Sequence, residues 1–218
     1  MILARSFDIV MNLKKIRRIK RKYNLETLIR RRNKYASVFK GGDDHQTVPN
    51  LLRRNFNVVK KDLVYSTDIT YLFYGNGLRA YLSAVKDLGT REIVHYSLSK
   101  SLNIDVAING VNELYKKLPL SKRKRLIVHS DQGAHYTGRT YRNLMKSYGI
   151  NQSMSRKGNC LDNAPIESFF GHMKDELDLK GCKRYEDLEL EINRFIRYYN
   201  NERPQWVLKG KTPAECRG

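Results

Sequence analysis

The stretch Leu63-Val64-Tyr65-Ser66-Thr67-Asp68-Ile69-Thr70-Tyr71-Leu72-Phe73 runs into Gly75-Asn76-Gly77, and a second β-prone run begins at Leu78. β-branched and aromatic residues suit a pleated, half-buried surface, and a short glycine-rich connection between two such runs marks a hairpin. Residues 78–85 are followed by Leu88-Gly89-Thr90 and a third run at 93–98, so the spacing predicts an antiparallel meander. Val106, Val111, Leu114 and Leu118 then recur on one side of a helix, with Pro119 just after it. The run from Leu126 to Asp131 is apolar without alternation, the pattern of a central strand covered on both faces. Tyr141, Leu144, Met145 and Tyr148 mark another helix, ended by Gly149, and a short strand follows at 150–154. Residues 162–179 read as a helix with Asp162 as N-cap, Pro165 in the first turn, and a buried stripe of Ile166, Phe169, Phe170, Met173 and Leu177. A last long helix carries Leu188, Ile192, Phe195, Ile196 and Tyr199. The predicted class is α/β, a mixed five-stranded sheet flanked by helices.

Three acids occupy informative places in this frame. Asp68 shares a strand face with Ser66 and Thr70; an acid there is disfavoured by propensity and, if buried, needs a partner charge or a metal. Asp131 ends a strand, where open α/β sheets place their ligands. Glu167 borders the buried stripe of its helix and can lean over the sheet toward both. Carboxylate oxygens suit hard divalent cations, Mg2+ or Mn2+. Two such ions, about 3.5–4 Å apart, can activate an attacking oxygen and stabilise a leaving one on a phosphodiester. The competing readings are a solvent-facing Asp68 on an edge strand and a turn cap at Asp131. His129 and His135 flank Asp131 without the spacing of a histidine metal site, which leaves them hydrogen-bonding roles; Asp87 reads as a turn former.

The chain has 218 residues, 40% hydrophobic, with 42 Lys and Arg against 22 acids, a net charge of +20. Of the basic residues, 13 lie in the first 40 positions, against Asp8 and Glu26 only. Such a front-loaded charge is a footprint for nucleic acid, or else a solvated arm. Leu13, Ile16 and Ile19 form a helical stripe there, and Lys14, Arg17, Arg18 and Arg21 are candidate phosphate contacts. The expected organisation is a basic helical segment at 1–25, a linker at 26–60, and one catalytic unit at 61–218. Arg156 and Lys157, in the glycine-containing loop before the Glu167 helix, are further DNA candidates; a mobile surface loop is the alternative. Cys160, Cys182 and Cys216 are odd in number and lack a CxxC pair, which argues against a disulfide framework and fits a reducing cytoplasm. No run of 18 apolar residues exists, so no membrane span or membrane partner is expected.

YSTDIT (65–70), HSDQGAHYT (129–137) and KGNCLDNAPIESFFGHMKDE (157–176) resemble the three catalytic blocks of bacterial insertion-sequence transposases of the DDE superfamily. YYNNERPQWVLKGKTPAE (198–215) is similar to the tail that closes the same group. The resemblance departs at Tyr65, commonly Trp, and at Gln205, often His. It implies a ribonuclease H-like core related to retroviral integrase, with Asp68, Asp131 and Glu167 as catalytic residues and metal ligands. It further implies a metal-dependent endonuclease and polynucleotidyl transferase that frees a 3′-OH at an element's end and joins it to a target strand. Lys174, at the place where related enzymes put a basic residue, would contact DNA, with a surface salt bridge as the other reading. The implied partners are double-stranded DNA (terminal repeats and target), further copies of the chain, and an upstream helix-turn-helix protein, because the basic segment resembles only the last helix of such a unit. A non-catalytic DNA-binding remnant or regulator of transposition is the alternative function.

Overall fold

The computed structural model describes residues 7–25, 45–58 and 60–218. Most of the expected linker, including Arg30-Arg31-Arg32 and Gly41-Gly42-Asp43-Asp44, therefore lies outside the described residues, as does Val59. Helix α1 (Leu13–Lys22) starts at Asn12, whose side-chain oxygen accepts from the Lys15 backbone N–H at 2.8 Å. None of its residues is buried, and Leu13 is largely exposed. A single helix cannot cover its own apolar stripe.

The sheet is built as the strand pattern requires. β1 (Val64–Tyr74) and β2 (Leu78–Asp87) form an antiparallel hairpin, and β3 (Ile93–Ser99) pairs with β2. The connecting turn places Gly75 and Gly77 at positive φ, where a Cβ is costly. β4 (Ile127–Ser130) and β5 (Asn151–Met154) then join in parallel, giving the order β3-β2-β1-β4-β5. A mixed five-stranded sheet flanked by helices is thus observed, and all five strands lie where the sequence places them.

Alternation along β1 sorts the core into two layers. Leu72 and Tyr74, with Ala80, Leu82 and Ala84 of β2, pack under α6 (Ala164–Glu176) and α7 (Tyr185–Asn201). Tyr65 faces the other way, joining Val85 and Val128 against α2 (Asp105–Lys117) and α5 (Arg139–Ser147). Two one-turn helices, α3 (Leu120–Arg123) and α4 (Ala134–Thr137), punctuate the connections. Residues 45–58 are fastened to the core by buried Leu52, by the Leu51 N–H on Ser153 Oγ (2.9 Å), and by Arg91 on the Phe56 carbonyl (2.8 Å).

The chain closes with α8 (Pro213–Arg217), begun by a capping box between Thr212 and Glu215. Arg217 ends it by bonding Asp62 (2.7 Å), Asp87 (2.9 Å) and Glu92. Asp87 also accepts from the Gly89 N–H at 2.8 Å, so it is a turn former, as expected, and a buried ion-pair partner too.

The helix expected at 162–179 differs at both ends. A 3-10 turn (Cys160–Asn163) precedes α6, and Asp162 does not cap it. Its buried carboxylate instead accepts from Arg54 Nε (2.7 Å), Arg156 Nε (2.8 Å), Arg156 Nη2 (3.0 Å) and Asn50 Nδ2 (3.0 Å). A carboxylate removed from water is held better by two guanidinium groups than by helix N–H groups, which accounts for the change. At the far end the backbone turns extended at Leu177, and Leu177 and Leu179 pack against the core off the helix.

Candidate active site

β1 and β4 run parallel, with Val64 opposite Ile127 and Ser66 opposite His129. Asp68 and Asp131 each lie two residues beyond the last pair, Asp131 just past the end of β4, near enough for the Asp131 charge to act on Asp68. The two elements over this end of the sheet fix the third acid. Ser66 Oγ bonds the side-chain oxygen of Asn163 at 3.0 Å, and Lys174 Nζ donates to Thr70 Oγ1. Ser66, Asp68 and Thr70 share one face of β1, so α6 tracks that face in the same direction as the strand. Glu167 is four helical residues past Asn163, about 6 Å, and Asp68 is two strand residues past Ser66, about 6.6 Å. The Glu167 backbone thereby passes the same stretch of β1 as Asp68, with its side chain exposed.

The electrostatics agree with this convergence. Burial first, and then the charge of Asp131, push the Asp68 carboxyl well above its usual range; the Ile69 N–H (2.8 Å) and Lys174 pull against this, while Glu167 adds to the rise. Asp131 is also raised by burial, opposed by the Gly133 N–H at 2.8 Å and by His135. A Cβ at Gly133 would stand 2.9 Å from Asp131 Oδ1, so a larger residue there would push that carboxylate aside. Like charges crowded at a strand end are relieved by a cation, and an all-oxygen donor set suits a hard divalent one. The residues present therefore fit such an ion. They are not gathered into a finished cage: among the described residues no three His, Cys, Asp or Glu side chains stand close enough to hold a metal, and Glu167 is exposed.

His129 is buried and spans Ser153 Oγ (2.8 Å) and the Asp162 carbonyl (2.9 Å), the hydrogen-bonding role expected of it. Burial lowers the His135 imidazole below its ordinary value, and the Asp131 charge opposes that. Of the DNA candidates, Arg156 has its guanidinium engaged on Asp162, whereas Lys157 is exposed in the loop. Lys14, Arg17, Arg18 and Arg21 are exposed on α1. Lys174 lies with its ammonium 5.0 Å from the centre of the Tyr71 ring.

Lys86 was missed in the sequence. It is buried on β2, donates to the Pro165 carbonyl at 2.9 Å in the first turn of α6, and lies 5.5 Å from the centre of the Tyr199 ring. Burial, with Arg91 and Arg203 adding, lowers it to about 7. The signal was a lysine inside the apolar run Leu82-Ser83-Ala84-Val85 of a predicted strand.

Comparison with known proteins gives two family matches described as integrase core domain, over residues 59–160 and 148–213. InsK, the protein named as a transposase for insertion sequence element IS150 of Escherichia coli (strain K12), is 42% identical over 177 residues, 81% of this chain and 62% of that one. A transposase-like protein of Haemophilus influenzae is 39% identical over 210 residues, 96% of this chain and 94% of its own length. The chain thus spans under two thirds of the first relative and nearly all of the second. Among solved structures, the HTLV-2 integrase catalytic core domain in complex with magnesium superposes with a TM-score of 0.54 at 17% identity, over 72% of this chain and 97% of that one. That likeness identifies the fold as ribonuclease H-like.

Proposed function

The chain belongs to the integrase-core family of bacterial insertion-sequence transposases, and on that footing we propose that it is a metal-dependent polynucleotidyl transferase acting at the ends of such an element. One observation supports the reading: Asp68 and Asp131 each follow the last β1–β4 pair by two residues, and the helix tied to that same face of β1 carries Glu167, in a chain of charge +20. Asp68 and Asp131 would hold two divalent ions, Mg2+ or Mn2+, with Glu167 completing the set. When bound, such ions act as Lewis acids on the phosphoryl oxygens and stabilise attacking and leaving oxygens.

The chain's own residues do the positioning. Glu167, near the edge of the site and open to solvent, orients the attacking water and receives its proton as the oxygen bonds to phosphorus. The P–O3′ bond breaks, and the 3′ oxygen takes up a proton from solvent and leaves as a free hydroxyl. That hydroxyl then attacks a target phosphodiester, losing its proton to solvent as the new P–O bond forms, while the target's 3′ oxygen departs and takes a proton up, so no covalent protein intermediate is required. Lys174 places a point charge beside Asp68 for the non-bridging oxygens. The exposed basic face of α1 and Lys157 hold the backbone of double-stranded DNA, and two copies of the chain bring two element ends together.

The test is a cleavage and strand-transfer assay on DNA ending in the element's own terminal repeats, with Mg2+ or Mn2+. Nicked DNA bearing a 3′-OH and a joined product are expected, and both should vanish in EDTA. Cleavage unchanged by chelation, or none with either ion, would overturn the proposal.

A further inference from the structure

Next to the strand that carries Asp68, the sheet presents an aromatic surface, half exposed among the described residues, that the catalytic reading does not use. β4 pairs with β1 from Val64 to Ser66, whereas β1 runs on to Tyr74. On the face of this extension opposite Asp68, Tyr71 is 51% exposed and Phe73 48% exposed. Their rings meet edge to face, with centroids 5.5 Å apart. Across the hairpin, Tyr81 stands opposite Tyr71 and Arg79 opposite Phe73. Each exposed ring also has its own cation, since Lys174 Nζ is 5.0 Å from the Tyr71 centroid and the Arg79 guanidinium 5.5 Å from that of Phe73.

Rings left open to water with cations beside them combine the two parts of single-strand recognition, a face for the base and a charge for its phosphate. Lys174 joins this surface to the site, because the same ammonium that covers Tyr71 donates to Thr70, two residues from Asp68. We propose that Tyr71 and Phe73, with Arg79 and Lys174, form a stacking platform for unpaired nucleotides of the DNA strand that enters the site. The proposal rests on the DNA-processing reading above. It adds that the chain distinguishes a frayed DNA end from paired duplex. The occupant follows from charge complementarity: two cations flank the rings on a strongly basic chain, so a polyanion fits this face better than a second copy of the chain.

The full chain is titrated by fluorescence anisotropy into two labelled DNAs of the same sequence, one blunt and one with a short unpaired tail. The unsubstituted chain should bind the tailed DNA more tightly. Tyr71→Ala and Phe73→Ala should each weaken tailed-DNA binding by about 10-fold or more while changing blunt-duplex binding by less than about twofold. Tyr71→Phe, which keeps the ring, should retain the preference, and this conservative variant guards against a folding artefact. Equal affinity of the unsubstituted chain for both DNAs, or equal weakening of both by the alanine variants, would overturn the platform while leaving DNA binding intact. A change in molecular mass by light scattering with no change in DNA preference would make the face a contact between copies, and would overturn it too. Binding of neither DNA would instead remove the proposed function, and the platform with it.

Discussion

Asp162→Asn removes one negative charge from beneath two arginines at the entrance to α6. The carboxylate is fully buried and accepts from Arg54 Nε, Arg156 Nε, Arg156 Nη2, the Arg156 backbone N–H (3.1 Å) and Asn50 Nδ2. Asparagine offers a single acceptor oxygen and turns its own NH2 toward the remaining donors. Breaking one side of a buried ion pair costs about 3–5 kcal/mol. Both arginines are partly exposed and can rehydrate, so the lower end applies, about 3 kcal/mol. At about 2–4 °C per kcal/mol for a chain of this size, the melting temperature should fall by about 6–12 °C, read by circular dichroism. Arg156 and then Arg54 hold this carboxyl far below its ordinary value. Its contribution is therefore fully present above the unfolded carboxylate pKa, about 4, and is lost as pH falls below that. The gap between the two proteins should be constant from neutral pH down to about pH 4 and then close. A loss below about 2 °C at neutral pH would refute the claim that this cluster anchors the helix.

Three further perturbations separate neighbouring roles. Lys174→Gln should reduce strand transfer by about 10-fold or more while lowering the melting temperature by less than about 2 °C, because a lost phosphate charge outweighs one partly exposed contact; full transfer activity would leave Lys174 as a surface residue. Lys86 is lowered from 10.5 to about 7, so the folded state binds fewer protons between those values and stability rises with pH across that window. Lys86→Met should then raise the melting temperature most near pH 6 and least near pH 10, bounded by about 5 kcal/mol; a lower melting temperature at the acidic end would count against a costly buried charge. Changing Lys14, Arg17, Arg18 and Arg21 together to Gln should flatten the salt dependence of DNA binding by up to about 0.9 log units per lost contact, and an unchanged slope would mean that α1 does not touch DNA.

Much of this molecule is visible in its strings, and the exceptions have a common cause. The five strands follow from β-branched runs and glycine turns because hydrogen-bonded pairing and alternation are local properties. Asp68, Asp131 and Glu167 stand out because an acid in a strand, at a strand end, or beside a buried helical stripe is locally anomalous. Asp162 was misread because its surroundings suggest a cap, whereas its partner Arg54 is distant in sequence and reaches it only through the chain around residues 45–58. Arg217 was invisible for the same reason: Asp62, Asp87 and Glu92 gather around it only after the sheet has formed. Lys86 broke the pattern of its strand and could have been noticed, although nothing local shows that its amine reaches the Pro165 carbonyl.

The central claim is that three carboxylates form one metal-dependent site. Asp68→Asn, Asp131→Asn and Glu167→Gln each remove a ligand charge with almost no change in volume, so the fold and DNA binding should survive. Measured side by side for divalent-metal-dependent cleavage of element-end DNA, with DNA affinity and melting temperature on the same preparations, each should lose about 1,000-fold or more in rate while still binding DNA. Near-normal cleavage by any one of the three would contradict the assignment of that residue to the site.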